Sequence, residues 1–168
     1  MFGIDPGTAS TGFAIIDQDG PRLTPVWYDC LKTTPAEAPA ARLVRIAQAA
    51  RDVVRQFAPH EMAIEELFFG VNAKAALAVG QARGVLMLAC AEAGLEVFEY
   101  SPSSIKQAVT GYGRADKTQM QHMVMVTLGM SEIPKPDHAA DALAAAICHA
   151  GSFSHPQVTS HGAHLRRR

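Results

Sequence analysis

Long apolar runs are missing from this chain: nothing in the sequence reads as the roughly 18 uninterrupted apolar residues of a membrane span, and no membrane association is expected. Cysteine is scarce. Cys30, Cys90 and Cys148 are odd in number, far apart and set in apolar segments, which excludes a disulfide framework and argues against a cysteine-built zinc site. They read as small core residues in a reducing compartment. Charge of one sign is also missing, since a net charge of −1 gives no general pull toward nucleic acid and leaves that task to a local basic surface. No secretory pattern precedes the first strand-like segment, so a cytoplasmic location is the expectation. What is present is an ordinary globular composition, 48% apolar and 18% charged over 168 residues. That suits one domain with a sizeable core.

The chain is organised around its first segment, Met1 to Ile16, which sets Asp5 between two apolar runs. Phe2 and Ile4 suit a buried strand, and Pro6-Gly7 reverses the chain directly after the acid. Gly12 to Ile16 reads as a second strand closed by a hairpin at Asp17 to Gly20. A carboxylate at the mouth of a central strand beside a glycine turn is a seat for a metal or a phosphate. It is equally the ordinary start of a turn, and this stretch alone leaves both readings open.

Arg22 to Leu31 is a third strand, and Pro25 puts it at an edge. From Ala40, Leu43, Ile46, Ala47, Ala50, Val53, Val54 and Phe57 recur at the spacing of one buried helical face, while Arg42, Arg45, Arg51 and Arg55 fall on a solvated one. Pro59 ends that helix. Glu61 to Leu67 repeats the first pattern, a short apolar strand running into acids, with Glu65 the counterpart of Asp5. Ala73 to Ala93 is an alanine-rich helix in which Gly80 and Gly84 permit close packing. Leu95 to Tyr100 alternates as a fifth strand. Ser101 caps a helix to about Thr110, and Gly111 to Ala115 is a link carrying Arg114. Asp116 caps a helix to Gly129, with Met120, Met123, Val124 and Leu128 inward. A last helix starts at Pro136 or Asp137, and a polar tail, expected to be disordered, runs from Gly151 to the final three arginines.

Three strands in a meander, then strands added in parallel through helical crossovers, make an α/β layered domain with a five-stranded mixed sheet. This is the element order of the ribonuclease H-like fold. His138 and Asp141, three apart on a helix, can face one side. If that side meets the ends of strands one and four, Asp5, Glu65, His138 and Asp141 share a site. Oxygen-rich donors suit Mg²⁺ or Mn²⁺ rather than zinc, and two such ions roughly 3.5 to 4 Å apart can drive phosphodiester cleavage.

These residues resemble the RuvC crossover-junction endodeoxyribonucleases, the Holliday-junction resolvases. The matching segments are Gly3 to Thr8, Ala63 to Glu65 with Phe68, Asn72-Ala73, Gly80 to Val85 (GQARGV), Phe98 to Tyr100, Lys106-Gln107, Lys117 and Ala139 to Leu143. They run collinearly over about residues 2 to 150 and leave out only the tail. The resemblance implies a ribonuclease H-like nuclease domain over residues 1–150, a homodimer, and paired nicks in opposed strands of a four-way DNA junction with Mg²⁺ or Mn²⁺. It also implies action with the RuvA and RuvB branch-migration proteins in recombinational repair.

Carried over position by position, Asp5, Glu65 and Asp141 match the family's metal-binding acids. The fourth role falls on His138, where some relatives have aspartate and others histidine; Asp137 beside it has a compatible spacing. Phe68 matches an aromatic used against bases near the junction centre. Asn72, Arg83, Lys106 and Lys117 fall at DNA-facing positions, and Arg114 joins them from its glycine-rich link. The long alanine-rich helix resembles the dimer-facing one. Two departures are the near-neutral charge and the short lead of four residues before Asp5, from which fraying of strand one is expected.

Three alternatives share parts of the pattern. An actin-like or sugar-kinase ATPase uses a similar Asp-X-Gly-Thr turn but needs two such domains. A RuvX/YqgF-type protein explains the first motif and not GQARGV or Phe68. A non-catalytic junction-binding protein would not need all three acids.

Overall fold

The computed structural model describes residues 1–67 and 73–153, apart from the side chains of residues 73, 74 and 153. Phe68, Asn72 and the tail beyond residue 153 lie outside the described residues. The elements are β1 (Phe2–Asp5), β2 (Ser10–Asp19), β3 (Arg22–Lys32), α1 (Pro39–Phe57), β4 (Glu61–Glu65), α2 (Ala73–Glu92), β5 (Glu96–Tyr100), α3 (Pro102–Thr110), α4 (Lys117–Thr127) and α5 (Asp137–Phe153). They form the expected five-stranded mixed sheet in the order β3-β2-β1-β4-β5. The meander β1-β2-β3 is antiparallel, and β4 and β5 add in parallel.

Alternation along β1 divides its residues between two layers. Phe2 and Ile4 enter a core with Ile46, Ala50 and Val53 of α1 and Leu86 of α2. Gly3 faces the other way, beneath α5, so close that an added Cβ would lie 2.1 Å from the Ala142 carbonyl oxygen. Gly12 on β2 does the same under the head of α5, where a Cβ would fall 1.8 Å from the His138 carbonyl oxygen. Two missing side chains thus let the last helix settle directly on the sheet.

Strand one does not fray. Phe2 and Ile4 are fully buried, both flanks are paired, and Met1 exchanges bonds with Ile16, the Ile16 amide donating to Met1 O at 3.1 Å and the Met1 amine to Ile16 O at 2.9 Å. β2 also runs past its apolar stretch to Asp19, because β3 pairs with it down to Arg22. The register shifts where Trp27 faces Ile15 and Pro25 faces Ile16. Val26 is the extra residue, 52% exposed, and the bulge with its proline lies on the edge strand, as expected.

Other departures have local causes. Arg42, read as solvated, is half-buried and bonds the loops beside β1, as described below. α5 continues through Gly151 to Phe153, where a tail was expected, with Ser152 Oγ donating to Cys148 O at 2.9 Å. Cys90 and Cys148 are buried, but Cys30 is only half-buried on β3. In α2 a Cβ on Gly80 would meet Leu67 at 3.4 Å, whereas Gly84 has no neighbour within 4 Å. Contrary to the reading of the sequence, Ala75–Glu92 is long and apolar enough to cross a membrane by length and composition alone. Only 28% of that stretch is buried, and its Arg83 is ion-paired to Glu99 of β5.

His149, near the end of α5, is fully buried. Its Nδ1 lies 2.7 Å from the Tyr100 hydroxyl and its Nε2 3.0 Å from Glu61 Oε2. The ring packs on Phe98 at 4.5 Å between centroids. This network fixes the far end of the helix whose head carries His138 and Asp141.

Candidate active site

Strand pairing alone brings Asp5 and Glu65 together. β1 and β4 are parallel neighbours with Ile4 opposite Ile64, so the next residue on each strand leaves the sheet at the same end. α5 supplies the rest from above. With its first turn resting on Gly12, His138 Nδ1 lies 2.7 Å from Asp5 Oδ2. Asp141 is one turn further, and ligand atoms of Asp5, His138 and Asp141 lie within 4.8 Å of one another. Glu65 stands outside that triplet but lines, with Asp5 and Asp141, a cleft of about 260 Å³.

Lys106 of α3 and Lys117 of α4 line the same cleft. Lys117 Nζ lies 3.0 Å from Asp137 Oδ2 and 3.7 Å from Asp141 Oδ2. Asp137 also accepts from Gln121 Nε2 at 3.0 Å. It therefore faces the lysine, and the imidazole of His138 is the group that joins the acids. Lys117 is set by the capping box at the head of α4, in which Asp116 accepts from the Gln119 amide and the Gln119 side chain accepts from the Asp116 amide. Arg114 is exposed on the link between α3 and α4. Arg83 is turned away from solvent, bonded to Glu65 O at 3.1 Å and to Glu99.

The turn after Asp5 is held more firmly than its sequence indicates. Thr11 Oγ1 donates to Gly7 O at 2.6 Å, the Thr33 amide donates to Ala9 O at 3.0 Å, and Thr33 Oγ1 bonds Thr8 O. Arg42 reaches over from α1, its Nη2 2.7 Å from Thr8 O and its Nε 2.7 Å from Thr33 Oγ1. Helical periodicity placed Arg42 with the solvated arginines. Its partners are loop carbonyl and hydroxyl groups that carry no sequence signal.

Crowding and burial push every acid of the cleft upward. Asp5 is raised by burial, opposed by its bond to His138 and by the charge of Lys117. Asp141 is raised by burial and then by Asp5, with Lys117 and His138 opposing. Glu65 is pushed up to about 7 by burial, then by the charges of Asp5 and Asp141, with Lys106 opposing. Lys117 is raised, chiefly by its bond to Asp137. Three carboxylates crowded in a half-buried cleft repel one another, and oxygens with one imidazole are donor types that suit a hard or borderline divalent ion.

A family model described as crossover junction endodeoxyribonuclease RuvC matches residues 1–149. The crossover junction endodeoxyribonuclease RuvC of Desulfitobacterium hafniense is 54% identical over 155 residues, covering 92% of this chain and 93% of the relative. The RuvC structure of Thermus thermophilus superposes with a TM-score of 0.85 at 36% identity, covering 91% of this chain and 94% of that one. The same protein in complex with a Holliday junction substrate gives 0.84 at 34% identity, with the same coverage.

Proposed function

The chain belongs to the RuvC family of crossover junction endodeoxyribonucleases, and we propose that it resolves Holliday junctions by paired, metal-dependent nicks in opposed strands. The observation that carries this reading is the gathering of Asp5, His138 and Asp141 within 4.8 Å, two of them, Asp5 and Asp141, lining a cleft with Glu65 and two lysines. Asp5, Glu65, His138 and Asp141 would hold the metal, Mg²⁺ or Mn²⁺, with two ions per site. When bound, such ions activate a water and stabilise the departing oxygen in phosphodiester hydrolysis. Glu65, pushed up to about 7, would have to be ionised to serve as a ligand there. Lys106 and Lys117 receive phosphate oxygens at the cleft wall, with Asp137 holding the Lys117 ammonium in place.

Arg114 extends this basic surface, and Phe68 and Asn72 meet DNA near the junction centre by family resemblance. The homodimer pairs through α2, whose Leu77 and Leu88 are 66% and 53% exposed and flank the open Gly84. RuvA and RuvB are the expected branch-migration partners in a soluble, cytoplasmic setting.

The test is cleavage of a four-way junction with a mobile core, in Mg²⁺ and in Mn²⁺, for the parent and Asp5→Asn, with linear duplex as control. Paired nicks in the junction alone, lost in the variant while binding persists, are the expected result. Tight binding without nicks in either metal would leave a junction-binding module.

A further inference from the structure

Arg83 is the charged residue in the middle of α2 that leaves its exposed side. Its side chain is 15% exposed, against 41% for Arg51 and 71% for Arg55 on α1. The guanidinium forks between two strands. Nε donates to the backbone carbonyl of Glu65 at 3.1 Å, and the terminal nitrogen pairs with Glu99 on β5. The next peptide is fixed from the other side, the Glu66 amide donating to Tyr100 O at 2.8 Å. The end of β4 is thus pinned to both a helix and a strand at the residue whose carboxylate enters the cleft. A strand end normally has free backbone groups and the freedom that goes with them. Here that freedom is removed where a misplacement would matter most.

We propose that Arg83 is a positioning residue for Glu65, holding its backbone so that the carboxylate stays in the metal site, and not a contact to the DNA backbone. The proposal rests on the nuclease reading of the cleft, and it reverses the DNA-facing role that resemblance gave Arg83. Lysine is not an equivalent, since a single ammonium keeps the charge but loses the planar fork that spans a carbonyl and a carboxylate.

The experiment compares the full-length parent with Arg83→Lys, Arg83→Met and Glu99→Gln. Mn²⁺ affinity is read by titration of the protein alone, without DNA, and junction affinity by titration across salt concentrations without divalent metal. Positioning predicts a loss of about 10- to 100-fold in Mn²⁺ affinity for Arg83→Met, as for other partners that orient a metal ligand, with smaller losses for Arg83→Lys and Glu99→Gln. The slope of log affinity against log salt stays that of the parent in all three. In the double variant Arg83→Met with Glu65→Gln, the two losses do not add, because one acts through the other. A slope reduced by about 0.9 in Arg83→Met, one phosphate contact's worth, with Mn²⁺ affinity intact, would overturn the proposal. Additive losses would overturn it as well. If Arg83→Met does not fold, Arg83→Lys and Glu99→Gln carry the same comparison. A parent that binds no Mn²⁺ would instead remove the nuclease reading beneath it.

Discussion

His138 Nδ1 and Asp5 Oδ2 lie 2.7 Å apart across a sequence separation of 133 residues, joining the head of α5 to the end of β1. An ionised carboxylate can only accept, so a neutral ring carries its proton at Nδ1 and keeps the Nε2 lone pair. Asp5 thereby orients the imidazole as well as supplying its own oxygens.

Asp5→Asn keeps the side chain's size and loses its charge. The fold is expected to persist, with melting close to the parent's, while metal affinity and single-turnover cleavage fall by roughly 100-fold or more. Metal titration beside a gel-shift measurement on junction DNA separates the two effects. A variant that cleaves at the parental rate would take Asp5 out of the site.

Glu65 makes metal-free stability depend on pH. Its folded-state value of about 7 lies above the ordinary 4.5, so the folded chain holds a proton that the unfolded chain has released. The contribution is fully present below about pH 4.5 and is lost as pH rises toward 7. Allowing for solvent screening, it is on the order of 1–2 kcal/mol. Glu65→Gln should therefore melt higher than the parent at pH 8 in chelator, with the difference shrinking at pH 5. Identical melting curves at both pH values would contradict this.

Gly12→Ala places a methyl 1.8 Å from the His138 carbonyl oxygen. Neither backbone can yield without lifting α5, so a loss of about 3 kcal/mol or more, or failure to fold, is expected in urea denaturation. A Gly84→Ala variant is the contrast, because nothing lies within 4 Å of the new atom. In the isolated protomer it should add about 0.5–1 kcal/mol through helix propensity.

The exposed face of α2 predicts the assembly. Leu88→Lys puts a charge on a residue that is 53% exposed in the protomer, so the fold measured by circular dichroism should not change. The parent is expected to sediment as a dimer and the variant as a monomer, with paired nicking reduced to single nicks. A parent that sediments as a monomer at micromolar concentration would remove this role from α2.

Much of this was legible because the site is built from strand ends. Asp5 and Glu65 each follow a short apolar run, and the parallel pairing of those runs brings the acids together; helical spacing allowed His138 and Asp141 to share one side, and the family resemblance assigned that side to the site. What escaped were interactions whose partner is backbone. Arg42 and Arg83 bond carbonyl oxygens at Thr8 and Glu65, and nothing in residue type distinguishes them from solvated arginines. His149 was hidden for a related reason, since its partners Glu61 and Tyr100 come from separate strands. Fraying at Met1 was wrongly expected because closeness to a terminus says nothing of two flanking strands.

The borders of the sheet carry a last consequence. β3 presents Pro25 and a bulge at Val26, and β5 is five residues long and opens on the exposed Glu96. A missing amide and a kink on one side, and shortness with negative charge on the other, are poor templates for a foreign strand. Growth of a continuous sheet is thus disfavoured at both borders, which leaves the exposed Leu77 and Leu88 of α2 as the surface for the pairing proposed above.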